Sequence, residues 1–167
     1  MVSLFDQLPG LSTERSIVID LRPVISVREI PPNAAHVRTA LPTMRSLISD
    51  FPHPDEPQLL HYLEQGVFGS WYPDPGLEYD VLHPGTRIDL SRFGERPGLH
   101  PHCLLTDGQW LWSAALLYYV AQYHLRLDAE FVEHARANQW VIHADRIVVR
   151  DLCWDAFENV IPDPVTK

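Results

Sequence analysis

The stretch Thr106–His124, TDGQWLWSAALLYYVAQYH, sets two tryptophans, three tyrosines and an Asp-Gly pair within nineteen residues. Asp107-Gly108 stands between the apolar runs HCLL and QWLW, and both residue types tolerate the positive φ of a primed turn, so the pattern predicts a β-hairpin. Ser113 can then cap a helix. From Ala114 to Tyr123, Leu116, Leu117, Tyr119, Val120 and Tyr123 form an apolar face too broad for an exposed amphipathic helix, and suited to one packed on a sheet. The aromatics are therefore expected chiefly in the core, with Trp110, Leu116, Val120 and Phe131 buried.

Working outward, DAEFVEHARANQW (Asp128–Trp140) reads as a second helix with Phe131, Val132 and Ala135 inward and Asn138 as a left-handed stop. WVIHADRIVVR holds two β-branched runs about Ala144 and Asp145 and predicts another hairpin, and WDAFENVIPDP predicts a helical turn before a frayed tail. Upstream, SIVIDLRPVISV (Ser16–Val27) reads as one strand or two short ones with Pro23 at a bend or edge. In HVRTALPTMRSLISDF the spacing of Leu41, Met44, Leu47 and Ile48 is helical, with the start at Pro42. DEPQLLHYLEQG (Asp55–Gly66) predicts a helix with a capping box from Asp55 to Gln58, a stop at Gly66, and Leu59, Leu60 and Leu63 buried. Val67 to Pro101, rich in Pro and Gly, predicts a long ordered loop with one short strand at Thr86–Leu90. Strand, helices, long loop, hairpin, two helices and hairpin give an α+β class, with a small antiparallel sheet packed on several helices.

The 167 residues suit a single domain spanning 1–167, with a hydrophobic fraction of 46% and a charged fraction of 21% that indicate a folded chain. No apolar run nears the roughly 20 residues of a membrane helix, and MVSLFDQLPG lacks the basic-then-apolar order of a secretory signal, so a cytoplasmic protein is expected. Cys103 and Cys153 have no paired spacing and read as reduced, buried thiols. The net charge of −9 argues against a nucleic-acid backbone as partner and for a basic protein.

Chemistry-bearing motifs are few. His100, His102 and Cys103 lie on an extended segment where alternate residues can aim two imidazoles at one ion, and with a distant third ligand such as His124, His134 or His143 they would suit a small metal-dependent hydrolase. No third ligand is local, so neither metal nor cofactor is expected. Glu130 and His134 share a helix face, as an acid orienting an imidazole would, although a solvated face looks the same. GxSxG, GxxxxGK[ST] and GxGxxG are absent, which leaves catalysis without a recognisable motif. The strongest binding element is the loop carrying Trp71, Tyr72, Asp74, Glu78, Tyr79 and Asp80, where aromatic anchors stand beside acids as an interface with a basic protein requires. Alternatively, Trp71 and Tyr79 pin this loop to the body.

Thr106–Trp140 resembles a C-terminal pattern of small bacterial proteins similar to immunity proteins of polymorphic toxin systems, in which a DGxWxW hairpin leads into a helix ending in YYV and then a helix containing EF. Ala114 and Ala115 stand where that pattern has a proline and an acid. The resemblance implies a protein that binds and neutralises a toxin domain, and it supplies no catalytic positions. A scaffold for a non-toxic partner is the other binding role compatible with these residues.

Overall fold

The computed structural model describes residues 17–20, 23–26, 28, 34–38, 41–71, 78–93, 96–101 and 103–147. In chain order these form β1 (Ile17–Asp20), β2 (Val24–Ser26), β3 (Ala34–Arg38), α1 (Leu41–Leu47), α2 (Glu56–Glu64), β4 (Val67–Trp71), β5 (Cys103–Thr106), β6 (Trp110–Ser113), α3 (Ala115–Tyr123) and α4 (Ala129–Ala137), with a 3-10 turn at Ala144–Arg146. The α+β class holds: β2, β6, β5 and β4 make a four-stranded antiparallel sheet, and β1 pairs with β3 in a separate parallel ribbon. No helix among the described residues is long and apolar enough to cross a membrane.

The hairpin of β5 and β6 is the middle of the sheet. Every residue of β5 is buried, as are Trp110, Leu111 and Trp112, so these strands are covered on both faces and read as continuous apolar runs. Side chains alternate between faces. Trp110, Trp112, Leu105 and Cys103 enter the main core, while Leu104, Leu111 and Ile25 are buried outside it. Phe131 from α4 packs edge-on against Trp110, Trp112 and Tyr62, with ring centroids 5.4, 5.7 and 6.0 Å away. The expected burial of Trp110, Leu116, Val120 and Phe131 is met.

Local signals held unevenly. The Asp-Gly hairpin forms, but only Gly108 takes a positive φ (96°), because Asp107 turns its carboxylate onto the N–H groups of Gln109 and Trp110 at 2.8 and 2.7 Å. Ser113 accepts the Ala115 N–H at 3.1 Å, but it stands one residue before the N-cap of α3, Ala114, which has no side-chain capping bond. Asp128 caps α4 through the Glu130 N–H. Asp55, in contrast, makes no capping bond to α2 and pairs with Arg136. Asn138 is not left-handed; Gln139 and Trp140 are, at φ 56° and 60°. The segment after Trp140 bends into its 3-10 turn instead of a first hairpin arm, held by Gln65, which donates to Trp140 O and accepts from Ile142 N–H. The remainder of that expected hairpin and the last helical turn lie outside the described residues.

Val67–Trp71, expected to open a loop, is a sheet strand paired with β5, and Thr86–Leu90 contributes only a bridge between Tyr79 and Arg87. Gly66, between α2 and β4, is buried and does not need a positive φ. A Cβ there would lie 2.6 Å from Trp112 Cζ2 and 2.7 Å from Leu105 Cβ. Both neighbours are buried and cannot withdraw. Gly66→Ala should therefore cost about 1–3 kcal/mol in urea unfolding, the usual penalty for overpacking a core. An unchanged midpoint would show that helix and sheet can separate freely at this point.

Candidate functional site

Besides Glu56, which pairs with His124 at 3.0 Å, two carboxylates withdrawn from water organise the polar chemistry of the described residues. The first is Asp80, at the centre of the loop singled out in the sequence. Asp80 N–H donates to Thr86 O and Ile88 N–H to Glu78 O, both at 2.8 Å, which ties the two arms of the loop together. Alternation then turns Asp80 inward, 1% exposed, and leaves Tyr79 and Val81 on either side 48% and 40% exposed.

The Asp80 carboxylate accepts four hydrogen bonds. Oδ1 takes the N–H groups of Leu82 (2.8 Å) and His83 (3.3 Å). Oδ2 takes the hydroxyls of Tyr118 (3.0 Å) and Tyr123 from α3. Tyr119, also on α3, accepts the Val81 N–H at 2.9 Å. His83 stacks on Tyr123 with its Nδ1 2.7 Å from the hydroxyl. The tyrosines of the opening stretch are thus both core and latch: Tyr119 is buried in the core with Tyr118 and Tyr123 packed against it, and their hydroxyls hold a loop.

This geometry corrects one assignment. Asp80 cannot offer its charge to a partner, because a buried anion with four donors is already satisfied. Glu78 pairs with Arg87 at 3.0 Å on the surface. Trp71 is the last residue of β4, and Tyr72 and Asp74 lie outside the described residues. An open cleft of about 330 Å³ adjoins the loop, lined by Glu78, Arg87, Asp89, Arg96 and His100 among others.

The second carboxylate is Asp107, its side chain 2% exposed, with His134 Nε2 at 3.0 Å. Tyr62 donates to it at 2.8 Å. His134 therefore answers to the hairpin, not to Glu130 as helix spacing suggested, and the cluster locks β5–β6 to α2 and α4. Of the metal candidates, Cys103 is buried in β5, where its thiol donates to Gly98 O and accepts the His100 N–H; His102 lies outside the described residues. Among the described residues no group of three His, Cys, Asp or Glu side chains could hold a metal ion.

Burial pushes the Tyr119 phenol up to about 12. Burial, and then the neighbouring carboxylate, also raises Tyr123 beside Asp80 and Tyr62 beside Asp107. A raised value favours the neutral phenol in the fold, so this stabilisation is complete below the ordinary value of 10.0 and is lost as pH climbs through the folded values. Unfolding midpoints should stay level up to about pH 10 and fall above it, with tyrosinate absorbance rising together with loss of structure. Tyrosines that all titrate at the ordinary value in a still-folded protein would contradict the two clusters. Asp80→Asn should cost about 1.5–3 kcal/mol by weakening charge-assisted bonds, and should loosen amide exchange at Val81, Leu82 and His83. Retained stability and unchanged exchange would mean that the latch is not needed.

No protein-family model, curated protein or solved structure matches this chain, so the role of the Asp80 loop must be argued from its own chemistry.

Proposed function

We propose that this chain is a protein-binding module of the cytoplasm, an immunity protein that binds and neutralises a basic toxin domain by occluding it. One observation carries the proposal. Of the five large hydrophobics exposed among the described residues, four (Phe51, Phe68, Tyr79 and Val81) fall within residues 46–86, and the chain as a whole carries a net charge of −9. Exposed apolar side chains on a chain of net negative charge suit a partner that is itself basic around an apolar patch.

Tyr79 and Val81 are the best placed of these. Asp80 fixes their backbone from below, so burying them against a partner costs little ordering entropy, the condition under which aromatic anchors contribute most. Trp71, Tyr72, Asp74 and Glu78 complete the proposed surface. The resemblance of Thr106–Trp140 to toxin-immunity sequences is consistent with this reading, and its first helix carries the tyrosine latch.

The test begins with the product of the adjacent reading frame, co-expressed with this chain and measured for association and dissociation. Association should slow steeply with added salt, as screening contracts to about 8 Å at physiological ionic strength, while dissociation changes little. Neutralising Asp74 and Glu78 together should act mainly on association. Tyr79→Ala should speed dissociation and cost about 2 kcal/mol or more. Salt-independent kinetics, with all these substitutions tolerated, would remove the loop as the interface; no complex at all would remove the immunity reading.

A further inference from the structure

The open cleft beside the Asp80 loop sets four charges around apolar surface. Its volume of about 330 Å³ falls within the range of about 300–1,000 Å³ in which small-molecule sites lie. Ile88 and Leu99 give it an apolar lining, and Arg87, Arg96, Glu78 and Asp89 bring two charges of each sign. Glu78 and Arg87 answer each other at 3.0 Å. Arg96 and Asp89 are in no ion pair among the described residues, which leaves one charge of each sign for a ligand.

Arg96 is preset for an anion. Its Nη1 donates to Glu64 O and Gly66 O at 2.8 and 2.6 Å, which fixes the plane of the guanidinium at the end of α2 without cancelling its charge. The other edge of the group, Nε–H with Nη2–H, is the fork that a carboxylate fits with two parallel bonds, and no acceptor among the described residues takes it. Asp89 is the counterpart. Its Oδ1 takes the Ser91 N–H at 2.9 Å, and that bond holds the exposed carboxyl below its ordinary value, so it stays ionised. Arg92 lies over the Phe93 ring, 5.0 Å from its centroid, and acts on Asp89 only from beyond ion-pair distance. We infer that this cleft binds a small zwitterion, an amino acid with an apolar side chain, whose carboxylate takes the open edge of Arg96, whose ammonium faces Asp89 and whose side chain lies over Ile88 and Leu99. Charge selects this class. Two guanidiniums and two carboxylates cancel, so a dianion would meet both carboxylates and a diamine both guanidiniums, whereas a molecule with one charge of each sign escapes either repulsion. The inference does not depend on a toxin partner.

The probe is L-leucine, titrated into the purified full chain and followed by calorimetry and by the amide shifts of Ile88, Asp89 and Leu99. Binding should saturate at millimolar concentration and move these amides. N-acetyl-leucine, which lacks the ammonium, and leucinamide, which lacks the carboxylate, should each bind about tenfold more weakly, as should glycine, which lacks the apolar body. Arg96→Lys keeps a cation for the end of α2 but has no fork, and should weaken leucine about tenfold. Should that variant also lose stability, Asp89→Asn, at an exposed position, carries the test: it should weaken leucine about tenfold and leave N-acetyl-leucine unchanged. Failure to saturate, shifts confined to other parts of the chain, equal affinity for leucine and its two derivatives, or leucine binding untouched by Asp89→Asn would each overturn the inference. Inorganic phosphate bound more tightly than leucine would also overturn it, by showing a simple anion site.

Discussion

The indole of Trp112, pressed against the backbone at Gly66, sets how closely helix and sheet approach, and most of the molecule follows from that approach. The Trp112 Nε1–H donates to Leu63 O in the last turn of α2, beside the Gly66 N–H on the same carbonyl, so the ring both fills the gap and ties the helix end to the sheet. Arg96 completes the same end, donating to Glu64 O and Gly66 O at 2.8 and 2.6 Å. With α2 stopped and seated there, β4 enters the sheet beside β5. A side chain at Gly66 would push apart the joint from which the sheet edge is hung.

Asp80 and Asp107 solve one problem in the same manner. Each is a carboxylate withdrawn from water, and each is compensated by backbone N–H groups on one oxygen and by tyrosine hydroxyls on the other, with a histidine close by. Phenols and amides give direction without a second full charge, so neither cluster relies on a lysine or arginine that would need desolvation of its own. Each carboxylate also ties distant parts of the sequence: Asp80 binds a loop to α3, and Asp107 binds the hairpin to α2 and α4.

What the sequence made legible was whatever short-range periodicity encodes. The β5–β6 hairpin, α3 and α4 follow from the Asp-Gly pair, the apolar runs and the inward spacing of Phe131, Val132 and Ala135. β4 escaped because Gly69 and Ser70 interrupt VFGSW, and its strand state depends on pairing with β5, more than thirty residues later. The C-terminal hairpin was expected from β-branched residues, yet Gln65 holds the backbone of Trp140 and Ile142 in a different path. For Asp80 the decisive partners lie 38 and 43 residues away, beyond any local pattern. A clue was present nonetheless. Three tyrosines within six residues of α3 carry hydroxyls that need partners, and an aspartate set between Tyr79 and Val81 serves two of them.

Three consecutive residues divide the labour of the loop. Asp80 belongs to the fold, while Tyr79 and Val81 are carried by it without supporting it. Exchange at the outer two positions is therefore nearly free of stability cost, whereas exchange at the middle one is not. A lineage under pressure to follow a changing partner could rewrite the outward chemistry at 79 and 81 repeatedly and keep the same backbone each time. The buried carboxylate acts as a fixed socket beneath two exchangeable side chains, and the loop can be diversified without first making the protein more stable.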